Sequence, residues 1–220
     1  MGTVCLEVEG DLACFTRPEM KVERVSYDVM TPSAARAIFE AILWKPAIRW
    51  QVERIDVMRP IAWMSIRRNE VGSKASLDAT RAAMRRGGPG GLGLYVDDDR
   101  QQRASLLLRD VGYRIWARTR LTSRAGPDDT LAKFEDMFRR RATRGQCVNQ
   151  PYLGCREFAC SFHLVDTPGA APIEESRDLG VMLYDLGYAD PAQPTPMFFR
   201  AKLERGTMRV PPAESLGVLR

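Results

Sequence analysis

The stretch DTLAKFEDMFRRRATRGQC, from Asp129 to Cys147, reads as a helix with acids near its start and Arg139, Arg140, Arg141 and Arg144 near its end, closed by Gly145. One or two cations would satisfy a helix C-terminus, for under ~1 kcal/mol each. Four guanidinium groups suit a phosphate backbone, because the planar fork grips phosphate through two parallel hydrogen bonds. The competing reading is a solvated basic face. A second group sits in DVGYRIWARTRL. Strand alternation puts Tyr113, Ile115, Ala117 and Thr119 on one face and Arg114, Trp116, Arg118 and Arg120 on the other. Guanidiniums interleaved with an indole match a strand of RNA, with phosphates on the arginines and a base on the ring. The alternative packs Trp116 under an insertion and leaves the arginines wet.

Acid–base candidates are few. His163 is the sole histidine, which excludes a two-histidine ribonuclease mechanism. Alternation places it opposite the apolar face of its strand, in a surface or partner-facing position, although it alone titrates naturally near neutrality. The cysteines (Cys5, Cys14, Cys147, Cys155, Cys160) are odd in number and form no Cys-x-x-Cys pair. That suits neither a disulfide framework nor a zinc site, so reduced thiols in a cytoplasmic protein are expected, with no metal. The adjacent acids of VDDD, Val96 to Asp99, point apart on any regular backbone and read as a solvated loop. RRGGPGGLG, Arg85 to Gly93, lacks the Gly-Lys-Ser/Thr ending of a phosphate-binding loop and reads as a flexible excursion.

With 45% hydrophobic and 28% charged residues, the 220-residue chain can bury a real core as one large domain or as a domain with a small appendage. It has no apolar run near the ~18 residues of a membrane span and no signal-peptide pattern at its start. The net charge is +5, carried by 28 Arg and 5 Lys, although a GC-rich genome would produce the same arginine bias. Residues 1–150 are net +7 and residues 151–220 net −2, so the positive potential belongs to the N-terminal two thirds and a polyanion is the expected partner.

These groups need elements to position them. TVCLEVEG alternates as a half-buried strand. A charged loop with Arg17, Lys21 and Arg24 follows. TPSAARAIFEAILW opens a helix with Thr31 as N-cap and Pro32 in its first turn, and Lys45-Pro46 ends it. AIRWQVERIDVMRPIAW is a strand whose alternation slips at Ile55 and Val57, as a bulge would make it do. Regular patterning fades from Ile66 to Asp99. The Tyr113 strand, the Asp129–Arg144 helix and the strand in YLGCREFACSFHLV complete a βαββαβ order with helices on one side of an antiparallel sheet. The expected fold is therefore α+β and ferredoxin-like (RRM-like) over residues 1–165, with an insertion at about 66–100. A linker, DTPGAAPIEES, leads to a small antiparallel β-subdomain over 177–212. This comprises LGVMLYDLGY and the hairpin MFFRAKLERGTMRV, turning near Arg205-Gly206; PPAESLGVLR reads as a loose tail.

ACFTRPEMKVERVSYDVMTPSAAR, WKPAIRW, IRRNEV, DRQQRASLLLRDVGYRI, RRGQC with QPYLGCREF, and LGVMLYDLGY with FFRAKLERG occur in order along nearly the whole chain. Together they resemble the type I-C precursor-CRISPR-RNA-processing endoribonucleases of the RAMP superfamily. The resemblance implies a ferredoxin-like domain, cleavage of the repeat RNA without metal or cofactor, and retention of the product in an RNA-guided surveillance complex for antiviral defence. Expected partners are crRNA and other subunits of that complex, with DNA a further candidate. Expected RNA contacts are Arg17, Lys21, Arg24, Lys45, Arg49, Arg67, Arg68, Arg114, Trp116, Arg118, Arg139, Arg140, Arg141 and Arg144.

The resemblance also implies a Tyr, Lys and His catalytic set. The lysine matches at Lys133, whereas the tyrosine position holds Leu43 and the histidine position Phe134. Such cleavage needs a base for the 2′-hydroxyl proton, a cation on the crowded phosphorane and an acid for the leaving 5′-oxygen. It yields a 2′,3′-cyclic phosphate and a 5′-hydroxyl. Lys133 can supply the cation; each missing proton transfer forfeits about 10²–10⁴ in rate. Tyr27, Tyr152 and His163 are candidate substitutes. A weakly catalytic nuclease, a handle-binding assembly subunit and an unspecific basic binder all remain consistent with these residues.

Overall fold

The computed structural model describes residues 2–167, 169–188, 192–215 and 217–219. The linker's Pro168 and the tail's Leu216 and Arg220 lie outside them. β1 (Val4–Ala13) leads through the charged loop to α1 (Pro32–Ile42). Thr31 caps α1 by accepting the Ala34 N–H at 3.3 Å, which satisfies one orphan donor of the first turn. β2 (Ile48–Val57) follows, with the expected bulge as a register shift between Val52 and Arg54. β3 (Ala62–Val71), α2 (Leu77–Arg86), the long β4 (Arg100–Leu121), α3 (Leu131–Thr143) and β5 (Ser161–Leu164) come next. β6 (Arg177–Gly187), β7 (Thr195–Leu203), β8 (Thr207–Arg209) and β9 (Val218–Leu219) complete the order.

Among the described residues, one sheet has the order β5-β1-β4-β2-β8, with β3 paired to β4, and a second has the order β6-β7-β9. Every strand pair is antiparallel, so the fold is α+β with antiparallel sheets. β4 spans two environments. Its first half pairs with β3 as an outlying arm, and its second half lies between β1 and β2. The change falls beside Asp110, whose φ of 52° is in the left-handed region that Asp tolerates better than most residues.

The core fills the space between α1, α3 and the main sheet. Phe39 of α1 stacks on Phe138 of α3 at 5.2 Å, and Trp50 of β2 lies 4.5 Å from Phe138. Leu6, Val8, Ile115 and Ala117 supply the sheet side. Each buried large side chain contributes about 1.5–3 kcal/mol. Met182, Phe199 and Leu203 of the second sheet join the same core, and a fork from Arg36 to Asp185, at 2.9 and 2.8 Å, ties α1 to β6.

Three features differ from the sequence reading. The expected loose tail supplies β9, whose buried Val218 lies opposite Phe199 of β7. The excursion at 66–100 contains ordered elements, the end of β3 and all of α2. β3 has no fully buried residue and α2 buries only Ala83, so neither carries an apolar period. In the expected hairpin at Arg205-Gly206, β8 joins the main sheet against β2 (Ile55 opposite Met208), while β7 keeps only the bridge Glu204–Thr207. Gly206 makes this possible: at φ 72° a Cβ would sit 2.4 Å from the Ile173 carbonyl oxygen. No helix among the described residues is long and apolar enough to cross a membrane.

Candidate functional site

Lys133 projects from the first turn of α3. Thr130 caps that turn by accepting the Lys133 N–H at 3.2 Å. The Lys133 ammonium is about half exposed and lies 2.9 Å from Asp129 Oδ1, whose other oxygen accepts the Gly126 N–H at 3.0 Å. Those two bonds, from Lys133 first, hold the Asp129 carboxyl below the usual carboxylate range. The next residue turns inward: Phe134 is buried, its ring centroid 5.5 Å from the Lys133 nitrogen. Leu43, at the C-terminal cap of α1, is buried too, and its carbonyl accepts the Trp50 indole N–H at 2.9 Å. The two positions where the resemblance sets a base and an acid are therefore apolar core positions in this chain.

The arginines divide into engaged and available groups. On α3, Arg139 pairs with Asp166 at 3.0 Å. Arg140 and Arg144, one turn apart, are exposed with no ion pair among the described residues. Arg141 is half-buried, and among the described residues its Nε has no hydrogen-bond partner. The β4 stripe does lie opposite the helices; Arg114 and Arg118 are neutralised within the sheet, whereas exposed Arg120, among the described residues, donates only to the Gln51 side-chain carbonyl at 3.0 Å. Register puts Glu7 opposite Arg114, and the carboxylate takes two bonds from that buried guanidinium, at 2.8 and 3.1 Å. Arg114 also donates to the Ala170 carbonyl at 2.9 Å. Trp116 donates to Asp56 at 2.8 Å beneath the Arg54 guanidinium, which lies 4.3 Å over its ring. Arg118 pairs with Glu53.

Around the loop after β1, Arg17 meets Asp28 at 3.2 Å and lies over the Tyr27 ring. Arg24 and Arg68 converge on Glu157, at 2.9 and 3.3 Å, and on Glu70, at 3.6 and 2.7 Å. Arg49 pairs with Glu214 at 3.1 Å. Lys21, Lys45 and Arg67 are exposed without an ion pair among the described residues.

Of the substitute bases, Tyr27 is buried, with its hydroxyl accepting the Leu183 N–H at 3.1 Å and its pKa pushed up by burial. His163 is exposed, 3.8 Å from Glu7. Tyr152 is half-buried. Among the described residues no three His, Cys, Asp or Glu side chains gather as a metal site. Sequence reasoning missed Cys155, whose sulfur lies 3.6 Å from Arg24 and 3.7 Å from the Cys14 carbonyl. A Cβ at Gly154 would sit 2.1 Å from that carbonyl oxygen, so glycine permits the approach. A separation of 141 positions between Cys14 and Cys155 leaves no local signal.

A family model described as CRISPR-associated protein (Cas_Cas5) matches residues 3–211. The chain is 50% identical over 213 residues to a protein named CRISPR pre-crRNA endoribonuclease Cas5d from Mannheimia succiniciproducens, covering 94% of both chains. It is 40% identical over 229 residues to a protein of the same name from Thermus thermophilus, covering 96% of this chain and 92% of that one. A crystal structure of a CRISPR-associated protein superposes with a TM-score of 0.69 at 21% identity, covering 100% of this chain and 97% of the other. A functionally uncharacterized protein from Streptococcus mutans does so at 0.67 and 20%, with the same coverage; these two likenesses concern the fold. The chain belongs to the Cas5d family of CRISPR-associated proteins.

Proposed function

We propose that this protein binds CRISPR repeat RNA, cuts the precursor by attack of a 2′-hydroxyl on the adjacent phosphate, and stays on the crRNA within a type I-C surveillance complex. The 50% identity, over 94% of both chains, to a named pre-crRNA endoribonuclease carries this reading. The domain is read as ferredoxin-like: β1, α1, β2, β4, α3 and β5 follow the βαββαβ order, and the four strands lie as β5-β1-β4-β2. The outlying arm corresponds to an insertion at about 66–100, and 177–212 to a β-subdomain that lends β8 to the main sheet.

Lys133 is the proposed electrostatic catalyst. Its ammonium can exchange Asp129 for a scissile phosphate and stabilise the extra charge of the phosphorane. Lys21, Lys45, Arg67, Arg140 and Arg144 are the proposed phosphate contacts that, among the described residues, have no carboxylate to leave behind. Arg17, Arg24, Arg49, Arg68, Arg114, Arg118 and Arg139 must give up or share an acid first, and Trp116 and Arg141 contribute from half-buried positions.

A second reading, a handle-binding subunit with little cutting of its own, is favoured by the burial of Leu43 and Phe134. Neither supplies a proton acceptor or donor, and position-driven cleavage would be slow. Incubation with the cognate repeat RNA in EDTA separates the two. A cut at the hairpin base leaving a 2′,3′-cyclic phosphate is expected; tight binding without product selects the second reading, and cutting only with magnesium overturns the mechanism.

A further inference from the structure

α1 ends where Leu43 adopts an extended backbone, with φ −145° and ψ 112°. Successive side chains then point to opposite sides. Leu43 enters the core and Trp44 is thrown outward, 57% exposed. An exposed indole at a fixed helix end is unusual, and it borders a cavity of about 660 Å³ whose walls include Val148, Asn149, Gln150, Tyr152 and Arg156. That volume falls within the range of small-ligand sites, about 300–1,000 Å³.

The walls are held in place. The Val148 N–H bonds the Ala41 carbonyl at 2.7 Å, satisfying one of the orphan acceptors at the end of α1. Gln150 donates to the carbonyls of Pro151, at 3.3 Å, and Cys160, at 2.9 Å, which leaves its own carbonyl oxygen as an oriented acceptor. Asn149 is exposed and offers both a donor and an acceptor.

Charge selects the occupant. The carboxylate in the wall, Glu40, is already bound by Arg36 at 2.6 Å. Arg156 in the wall, Lys45 beside Trp44, and Arg140 and Arg144 on the helix leading into Val148 are exposed, and among the described residues no carboxylate pairs with them. The geometry points to a nucleotide pocket: one unpaired base of the RNA stacks on Trp44, the amides of Asn149 and Gln150 meet its edge, and its flanking phosphates lie along those cations. This rests on the RNA-binding reading above and adds where, and on which side chain, a base is held.

The test uses repeat RNAs carrying 2-aminopurine at each unpaired position in turn, since stacking on an indole quenches that base. One position is expected to quench with the native protein and with Trp44→Phe, and to stay bright with Trp44→Ala. Trp44→Ala should weaken binding about 5- to 150-fold, the range of one lost base–aromatic stack, with the salt dependence unchanged. Arg156→Ala should flatten the log–log salt slope by about 0.7. Unaltered thermal melts of Trp44→Ala exclude misfolding. Equal affinity and retained quenching in Trp44→Ala overturn the pocket while RNA binding stands. Loss of partner-subunit binding alone in Trp44→Ala makes the surface a protein dock and also overturns it. A native protein that binds no repeat RNA overturns both readings.

Discussion

The Lys133 ammonium is held 2.9 Å from Asp129 Oδ1 across the N-terminus of α3, an exposed ion pair that a phosphate can replace at little cost, since solvent screens such pairs. Lys133→Ala is therefore expected to lower single-turnover cleavage about 10²–10³-fold and to change RNA affinity far less. Equal losses in rate and affinity, measured on the same RNA, would make Lys133 one more phosphate contact.

Arg140 and Arg144 share the open face of α3, whereas Arg139 is occupied by Asp166. The pair Arg140→Ala with Arg144→Ala should flatten the salt dependence of RNA binding by about 0.7–0.9 log–log units per lost contact, and Arg139→Ala by less. Titrations at several salt concentrations give the slopes. An unchanged slope would return this helix to a solvated face.

Leu43→Tyr with Phe134→His restores the base and acid types that the resemblance implies. Both positions are buried, so we expect a gain below about tenfold in single-turnover rate, short of the ~10²–10⁴ of a well-placed proton donor or acceptor. The imidazole at 134 should also cost stability, most in acid. A buried imidazole binds protons less readily than the unfolded chain does, so stability falls as pH drops below about 6.5. Melts at pH 5 and pH 8 check the sign.

Arg114 serves the fold before it serves RNA. Arg114→Ala strands Glu7 without its partner and should lower unfolding free energy by about 3–5 kcal/mol, read by urea denaturation. Arg114→Leu with Glu7→Leu should recover most of that loss. A fully stable Arg114→Ala protein with impaired RNA binding would contradict this assignment.

Cys155 has its thiol pKa pulled down, first by the hydrogen bond from Cys14 and further by Arg24, while burial pushes Cys5 and Cys160 up to about 12. At neutral pH iodoacetamide should label Cys155 first, and Arg24→Ala should slow that labelling. Peptide mass spectrometry over a time course decides; first labelling at Cys147 instead would show that exposure outweighs thiolate character.

Local pattern was legible wherever one face of an element is buried. Thr31-Pro32 starts α1, the phase slip in β2 marks its bulge, and alternation along β4 separates Ile115 and Ala117 from Arg114 and Trp116. A buried face imposes its period directly on the residues that form it. β3 and α2 lack such a face, and their sequence stayed silent. The basic stripes were likewise visible, but which cations are available was not. That depends on cross-strand register and loop closure: Glu7 comes opposite Arg114 from 107 residues away, Glu157 reaches Arg24 from 133, and the segment after α3 closes against the end of α1 beside Trp44. Charge is a property of the chain, whereas neutralisation requires two side chains within a few ångströms, and only the tertiary fold brings them there.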